Sequence, residues 1–189
     1  MIKKIFWVLR GLGYSLFLGK FQFPSYLGKP LFISRLKNIY IGKKVRIFPG
    51  ARLECLNKQS KIIFEDNISV GQNLHVIASE TVEIKKNTTI SANVFIADVN
   101  HNYQAINQHI MDQPLTCKKT VIGENCFIGY GAVIDAGTIL GKQCVVGANA
   151  VVKGSFPDYC VIAGVPATII KKYNSSSQQW EKQIVKENF

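Results

Sequence analysis

The chain has 189 residues, 47% of them hydrophobic and 19% charged, which suits one domain with a sizeable core and excludes a disordered or coiled-coil protein. Its net charge of +11 is concentrated: residues 1–53 carry eleven Lys or Arg and no acid, whereas residues 54–189 carry twelve of each sign. Five cysteines, at 55, 117, 126, 144 and 160, form no CxxC pair and no zinc-ligand spacing, which excludes a dense disulfide framework and fits a reducing cytoplasm.

Residues 1–37 read as a basic N-terminal cap rich in aromatics, among them Phe6, Trp7, Tyr14, Phe17, Phe21 and Phe23. The opening Met1-Ile-Lys-Lys resembles the start of a signal peptide. Arg10 interrupts the apolar stretch, however, and no small-x-small cleavage site follows. The apolar runs reach about half of the ~20 residues that a membrane-crossing helix needs. Such a segment can pack over the first turn of a core, and residues 1–30 can also rest on an anionic membrane surface. No recognised nucleic-acid-binding motif accompanies the basic charge.

From residue 38 a period of six dominates. Ile122, Ile128, Ile134, Leu140, Val146 and Val152 recur without a break, with Cys126, Ala132, Thr138, Cys144 and Ala150 as small residues four positions on. Neither the helical nor the strand period produces this spacing. The same register is read in three earlier blocks, Ile41/Ile47/Leu53, Ile62/Ile68/Leu74 and Ile84/Ile90/Ile96. A six-residue unit cannot bury its own apolar side chain and gains stability only by stacking on copies of itself. The pattern predicts an all-β prism of about five triangular coils over residues 38–173, with insertions leaving from one corner. Gly and Asn at the bends supply the positive φ that some turns need.

The longest departure from the repeat, residues 98–120, is the natural place for chemistry. It holds His101 and His109 beside Asp98, Asn100 and Asn102. Histidine is suited to take a proton from a hydroxyl near neutral pH. Asp98, three residues before His101, can orient the ring if the chain turns there. His75 follows a core position and is expected to face outward in a structural role. Residues 174–189 read as a short terminal helix, with Ser175–Ser177 as the N-cap and Trp180 and Ile184 as its apolar stripe.

The hexad run resembles the hexapeptide-repeat acyltransferases, a likeness that implies a left-handed parallel β-helix. The stretch Ile96-Ala-Asp-Val-Asn-His-Asn, followed by Gln113-Pro-Leu and the Ile122-Gly-Glu-Asn-Cys-Phe-Ile-Gly run, is similar to the polysaccharide O-acetyltransferases. That resemblance implies His101 as the catalytic base, on a loop that reaches a neighbouring subunit, with Asp98 as its orienting partner. The closing segment, Val146 to Pro157 and then Ala163-Gly-Val-Pro-Ala-Thr-Ile-Ile-Lys-Lys, is similar to the maltose and galactoside acetyltransferases. It implies acetyl-CoA in a groove between subunits, with Tyr130, Ala148, Lys153, Gly154, Thr168 and Lys171 as the cofactor contacts, and no metal. Phe127 stands where the family often has Trp, and Lys153-Gly154 where it has Thr-Lys. The resemblance further implies a homotrimer, a carbohydrate acceptor and a cytoplasmic enzyme. Two rivals stay open at this point, a non-catalytic scaffold of the same fold and a metal-dependent hydratase with three histidine ligands.

Overall fold

A computed structural model describes residues 2–183 of the chain. Most strands form three sheets of seven, nine and six strands, parallel except for the last two strands of the nine-stranded sheet, and these are the three faces of a triangular prism. Successive strands of one face come from successive coils. On the first face Phe21 stacks on Ile41, Ile41 on Phe64, Phe64 on Ile84 and Ile84 on Ile122. On the second, Leu27, Ile47, Val70, Ile90, Ile128, Val146 and Ile162 form one continuous column. The third column runs Ile33, Leu53, Val76, Ile96, Ile134 and Val152. Nearly all of these side chains are buried, and each aliphatic so removed from water contributes about 1.5–3 kcal/mol.

The prism therefore has six complete coils and the start of a seventh, rather than about five. Its first coil uses the strands Lys20–Phe21, Tyr26–Leu27 and Phe32–Ile33, all inside the segment read as a cap. The second block is also phased differently. Phe64, Val70 and Val76 hold the main column, while Ile62, Ile68 and Leu74 fill the second inward position that Cys126, Ala132 and Thr138 fill elsewhere. Two large residues per strand hid the phase. Insertions do leave from a single corner, between the third face of one coil and the first face of the next.

Each coil turns at residues in the left-handed region. At the corner between the first and second faces stand Lys44, Asn67, Asn87, Asn125, Gln143 and Tyr159, with φ between 53° and 62°. Asn tolerates this backbone better than other side-chain-bearing residues, which explains its frequency here. The Asn67 amide also donates to Asn87 at 2.9 Å, so the corner carries its own ladder. At the next corner Gly131 (φ 67°) serves where a Cβ would run into the Asn149 side chain.

The helix Ile2–Ser15, α1, covers the start of the prism. Trp7 packs on Tyr26 and Phe48, with ring centroids 5.6 and 5.3 Å away, and Gly11 lets the Phe21 ring approach the helix. The opposite side of this segment leaves Ile5, Phe6, Leu9, Leu12, Leu16 and Phe17 exposed.

The tail departs from expectation. Strand Ala167–Asn174 folds back on Cys160–Gly164, and Gln179–Lys182 folds back on Ala167–Asn174, both antiparallel. The expected terminal helix is thus a β-hairpin as far as residue 183, with Trp180 opposite Tyr173. Asn174 accepts hydrogen bonds from the Ser176 and Ser177 N–H groups at 2.9 and 3.4 Å. That Asx turn shares the Ser-rich signature of a helix N-cap. Ile184 and the rest of the expected stripe lie outside the described residues.

Candidate active site

The excursion at residues 98–120 is ordered rather than irregular. Strands Val99–His101 and Leu115–Cys117 pair antiparallel, with His101 opposite Leu115, and a 3-10 turn at Ile110–Asp112 lies near the tip. The foot of the hairpin is tied to the prism. The Lys118 N–H donates to the Asp98 carbonyl at 2.8 Å, and the Thr120 hydroxyl to the Ala97 carbonyl at 2.8 Å. The buried Gln113 side chain braces the tip through the Ala105 N–H, the Ala105 carbonyl and the Gln108 carbonyl, each at 3.1 Å.

His101 is exposed at the end of its strand and lines a cleft of about 490 Å³ between the hairpin and the third face of the prism. The other lining residues are Leu56, Ile77, Phe95, Val99, Asn100, Met111 and Leu115. Of these only Asn100 and His101 carry polar side chains. Ile77 and Phe95 become legible once the register of the third face is known, since they project outward beside Val76 and Ile96. The sequence pattern alone gave them no signal.

Asp98 does not orient His101. It is fully buried, and its two carboxylate oxygens accept the N–H groups of Ser79 and Glu80 at 2.6 and 2.8 Å. The chain runs extended from Val99 to His101, so a side chain three positions on points the opposite way. Asp98 instead fastens the foot of the hairpin to the corner of the coil below. Burial pushes its carboxyl above the usual range, against the pull of the two N–H donors. Among the described residues no hydrogen bond reaches the His101 imidazole.

The other histidines are engaged elsewhere. His75 Nε2 lies 3.0 Å from Glu54 Oε1, and its ring stands edge-on to Phe95 with centroids 5.1 Å apart. Glu54 also pairs with Arg52, which together with His75 holds its carboxyl below the usual range. His109 Nδ1 accepts the Met111 N–H at 3.3 Å and so caps the 3-10 turn. Among the described residues no group of three or more His, Cys, Asp or Glu is placed to hold a metal ion. All five cysteines are free thiols. Cys126, Cys144 and Cys160 stack in the core, with Cys144 and Cys160 sulfurs 3.5 Å apart, too deep to serve as nucleophiles.

The six residues matched to cofactor contacts fall in two groups. Tyr130 and Ala148 share the corner between the second and third faces, where the Asn149 N–H donates to the Tyr130 carbonyl at 2.8 Å. Thr168 pairs with Ala163, which packs against Gly147 at that same corner, and Lys171 lies further along the same strand opposite Val161. Lys153 and Gly154 stand across the third face, at the corner leading back to the first. There Lys153 Nζ is 3.0 Å from Asp135 Oδ2, and Gly154 (φ 104°) has open space where a Cβ would be. Burial pushes the Asp135 carboxyl up, but the Lys153 ammonium, the Ala136 N–H and the Asn100 side chain outweigh it and hold it below the usual range. One chain therefore does not bring the two groups together.

Comparison with known proteins agrees with this architecture. Residues 119–153 match a family model described as the hexapeptide repeat of succinyl-transferase. WbbJ of Escherichia coli (strain K12), named as a lipopolysaccharide biosynthesis O-acetyl transferase, is 38% identical over 161 residues, 81% of each chain. The structure of AntD, an N-acyltransferase from Bacillus cereus in complex with dTDP and 3-hydroxybutyryl-CoA, superposes with a TM-score of 0.75 at 18% identity, covering 89% of this chain and 90% of AntD. A galactoside acetyltransferase in complex with coenzyme A superposes with a TM-score of 0.59 at 21% identity, covering 93% of this chain and 85% of that one. At such identities the two structures speak for the fold. Among the described residues no helix is long and apolar enough to cross a membrane.

Proposed function

The chain belongs to the hexapeptide-repeat acyltransferases, and on that premise we propose that it moves an acetyl group from acetyl-CoA to a hydroxyl of a sugar or surface-polysaccharide precursor, with His101 as general base. The observation that carries this reading is the exposed imidazole in a 490 Å³ cleft, on a hairpin tied to a rigid prism. His101 takes the proton of the acceptor hydroxyl as the oxygen attacks the thioester carbonyl, and backbone N–H groups stabilise the oxyanion. The carbon–sulfur bond then breaks, and the imidazolium returns the proton to the departing thiolate. No covalent enzyme intermediate is required.

Acetyl-CoA supplies the activated acyl group. Tyr130, Ala148, Thr168 and Lys171 would hold it along one corner, and Lys153 and Gly154 along the other, with the cations directed to its phosphates. Because the two groups stand apart in one chain, a groove between neighbouring chains suits them, and the assembly we propose is a homotrimer. The hairpin tip supports this, since Tyr103, Ile106, Ile110 and Met111 are all exposed there and would reach a neighbour.

We place the enzyme in the cytoplasm, in contact with the inner membrane face through residues 1–30. In support, the outer side of α1 is apolar and residues 1–53 carry no acid.

The test is acetyl-CoA turnover against a panel of sugar acceptors in wild type and His101→Ala. The variant is expected to fold normally and lose about 10²–10⁴-fold in kcat. Unaltered transfer by the folded variant would remove His101 from its role.

A further inference from the structure

The corner between the second and third faces carries a hydrogen-bonded ladder that ends on Tyr130. Asn73 (φ 57°) and Asn93 (φ 59°) hold the same place in successive coils, and the Asn73 amide donates to Asn93 Oδ1 at 3.0 Å. One coil further on, Gly131 stands where the next amide would be. Tyr130 reaches back instead, and its phenol oxygen accepts the Asn93 amide N–H at 2.5 Å. The direction of the ladder is set at its foot. A Cβ on Gly50 would lie 2.0 Å from Asn73 Oδ1, so that oxygen rests on the Gly50 Cα, where a C–H suits an acceptor and not an amide NH2. Asn149 Oδ1 rests on Gly131 in the same way. At the corner between the first and second faces, the donor-only guanidinium of Arg46 reaches Asn67 Oδ1 at 3.1 Å and Asn67 donates to Asn87. Both ladders therefore donate toward the later coils.

A phenol that accepts from Asn93 keeps its own proton to give, and among the described residues nothing takes it. Tyr130 is 53% exposed, so the proton faces outward from the corner. We infer that the ladder fixes Tyr130 as a donor to a hydrogen-bond-accepting oxygen of acetyl-CoA, and that Asn93, with Asn73 behind it, is the residue that positions it. The inference rests on the reading of Tyr130 as a cofactor contact and adds the atom that makes the contact, its polarity and the residues that set it. Had the amides pointed the other way, the phenol would spend its proton on Asn93 and offer the ligand only a lone pair.

Calorimetric titration of the full chain with acetyl-CoA tests this. Tyr130→Phe is expected to raise Kd about 3- to 10-fold, the worth of one hydrogen bond. Asn93→Asp turns an acceptor toward the phenol, which then donates to it, and is expected to raise Kd by as much. Asn73→Asp reverses the Asn93 amide and is expected to do the same from a residue that meets no ligand. Asp tolerates the left-handed backbone at both positions, and neither Asp variant should add to the effect of Tyr130→Phe when combined with it. Adenosine 3′,5′-bisphosphate, which keeps nucleotide phosphates and lacks the pantetheine, separates the two sources of oxygen. A Tyr130→Phe penalty seen with it places the accepting oxygen on a phosphate, and a penalty confined to acetyl-CoA places it on a pantetheine carbonyl. An unchanged Kd in Tyr130→Phe, or an Asp penalty that persists in the Tyr130→Phe background, overturns the inference. Loss of trimer in Tyr130→Phe by sedimentation also overturns it, by giving the proton to a neighbouring chain. A wild-type chain that fails to bind acetyl-CoA is the separate failure of the functional reading.

Discussion

Replacing Asp98 with Ala removes a carboxylate that accepts two backbone N–H groups, those of Ser79 and Glu80, in a fully buried position. Each buried donor left unsatisfied costs about 1–3 kcal/mol, so the pair puts the loss at about 2–6 kcal/mol. For a chain of this size that corresponds to a fall in Tm of roughly 5–20 °C. Asp98→Asn keeps one acceptor oxygen and turns an amide N–H toward the other donor, so roughly half the loss is expected. Thermal unfolding followed by circular dichroism, beside kcat measured well below the transition, separates stability from catalysis. A clamp at the foot of the hairpin lowers Tm in both variants and leaves kcat of the folded fraction within about tenfold. A carboxylate that orients a catalytic histidine behaves otherwise, losing about 10⁴-fold in kcat on amide substitution with little change in structure. That second result would refute the reasoning.

Lys153→Ala should leave Tm nearly unchanged, because its ion pair with Asp135 is exposed and worth about 0–1 kcal/mol, yet raise KM for acetyl-CoA about tenfold if the ammonium meets a phosphate; an unchanged KM argues against that contact. Glu54 is held below its ordinary value of 4.5, so its contribution to stability is complete above that pH and is lost as pH falls through the lowered value. Glu54→Gln should therefore flatten the acid limb of Tm against pH, and an identical limb would count against the Arg52–Glu54–His75 cluster. Leu9→Ser with Leu16→Ser changes side chains 56% and 81% exposed, so folding should be unaffected while partition onto vesicles of phosphatidylcholine with phosphatidylglycerol falls by about tenfold or more per residue. Wild-type protein that fails to bind those vesicles at low salt removes the membrane role of α1.

The parts of this fold that were plain in the chain are those where one inward position is large and the other small. The run from Ile122 to Val152 announces its coils because Cys126, Ala132 and Thr138 keep the second position slim. Where both are large, as in Ile62/Phe64 and Ile68/Val70, period and existence survive but phase does not. The first coil escaped because Phe21, Leu27 and Ile33 keep the six-residue step among the basic and aromatic residues that suggested a cap. Ser175–Ser177 after Asn174 satisfied the chemistry of a helix start and of an Asx turn equally well, and cross-strand packing of Trp180 on Tyr173 decided between them. The hairpin that carries His101 was legible because an insertion there interrupts a strict period. Its supposed partner was misread for want of one fact, that the chain there is extended, which sends Asp98 and His101 to opposite sides.

The hairpin leaves the fourth coil and re-enters at the fifth, so stacked neighbours flank it above and below. In a quasi-one-dimensional array, opening starts at the ends and travels inward one interface at a time. Fraying of the terminal strands or release of α1 would thus spend itself on outer coils before reaching the imidazole. Amide exchange should accordingly slow toward the middle of the prism, leaving the His101 hairpin rooted in the stretch that opens last.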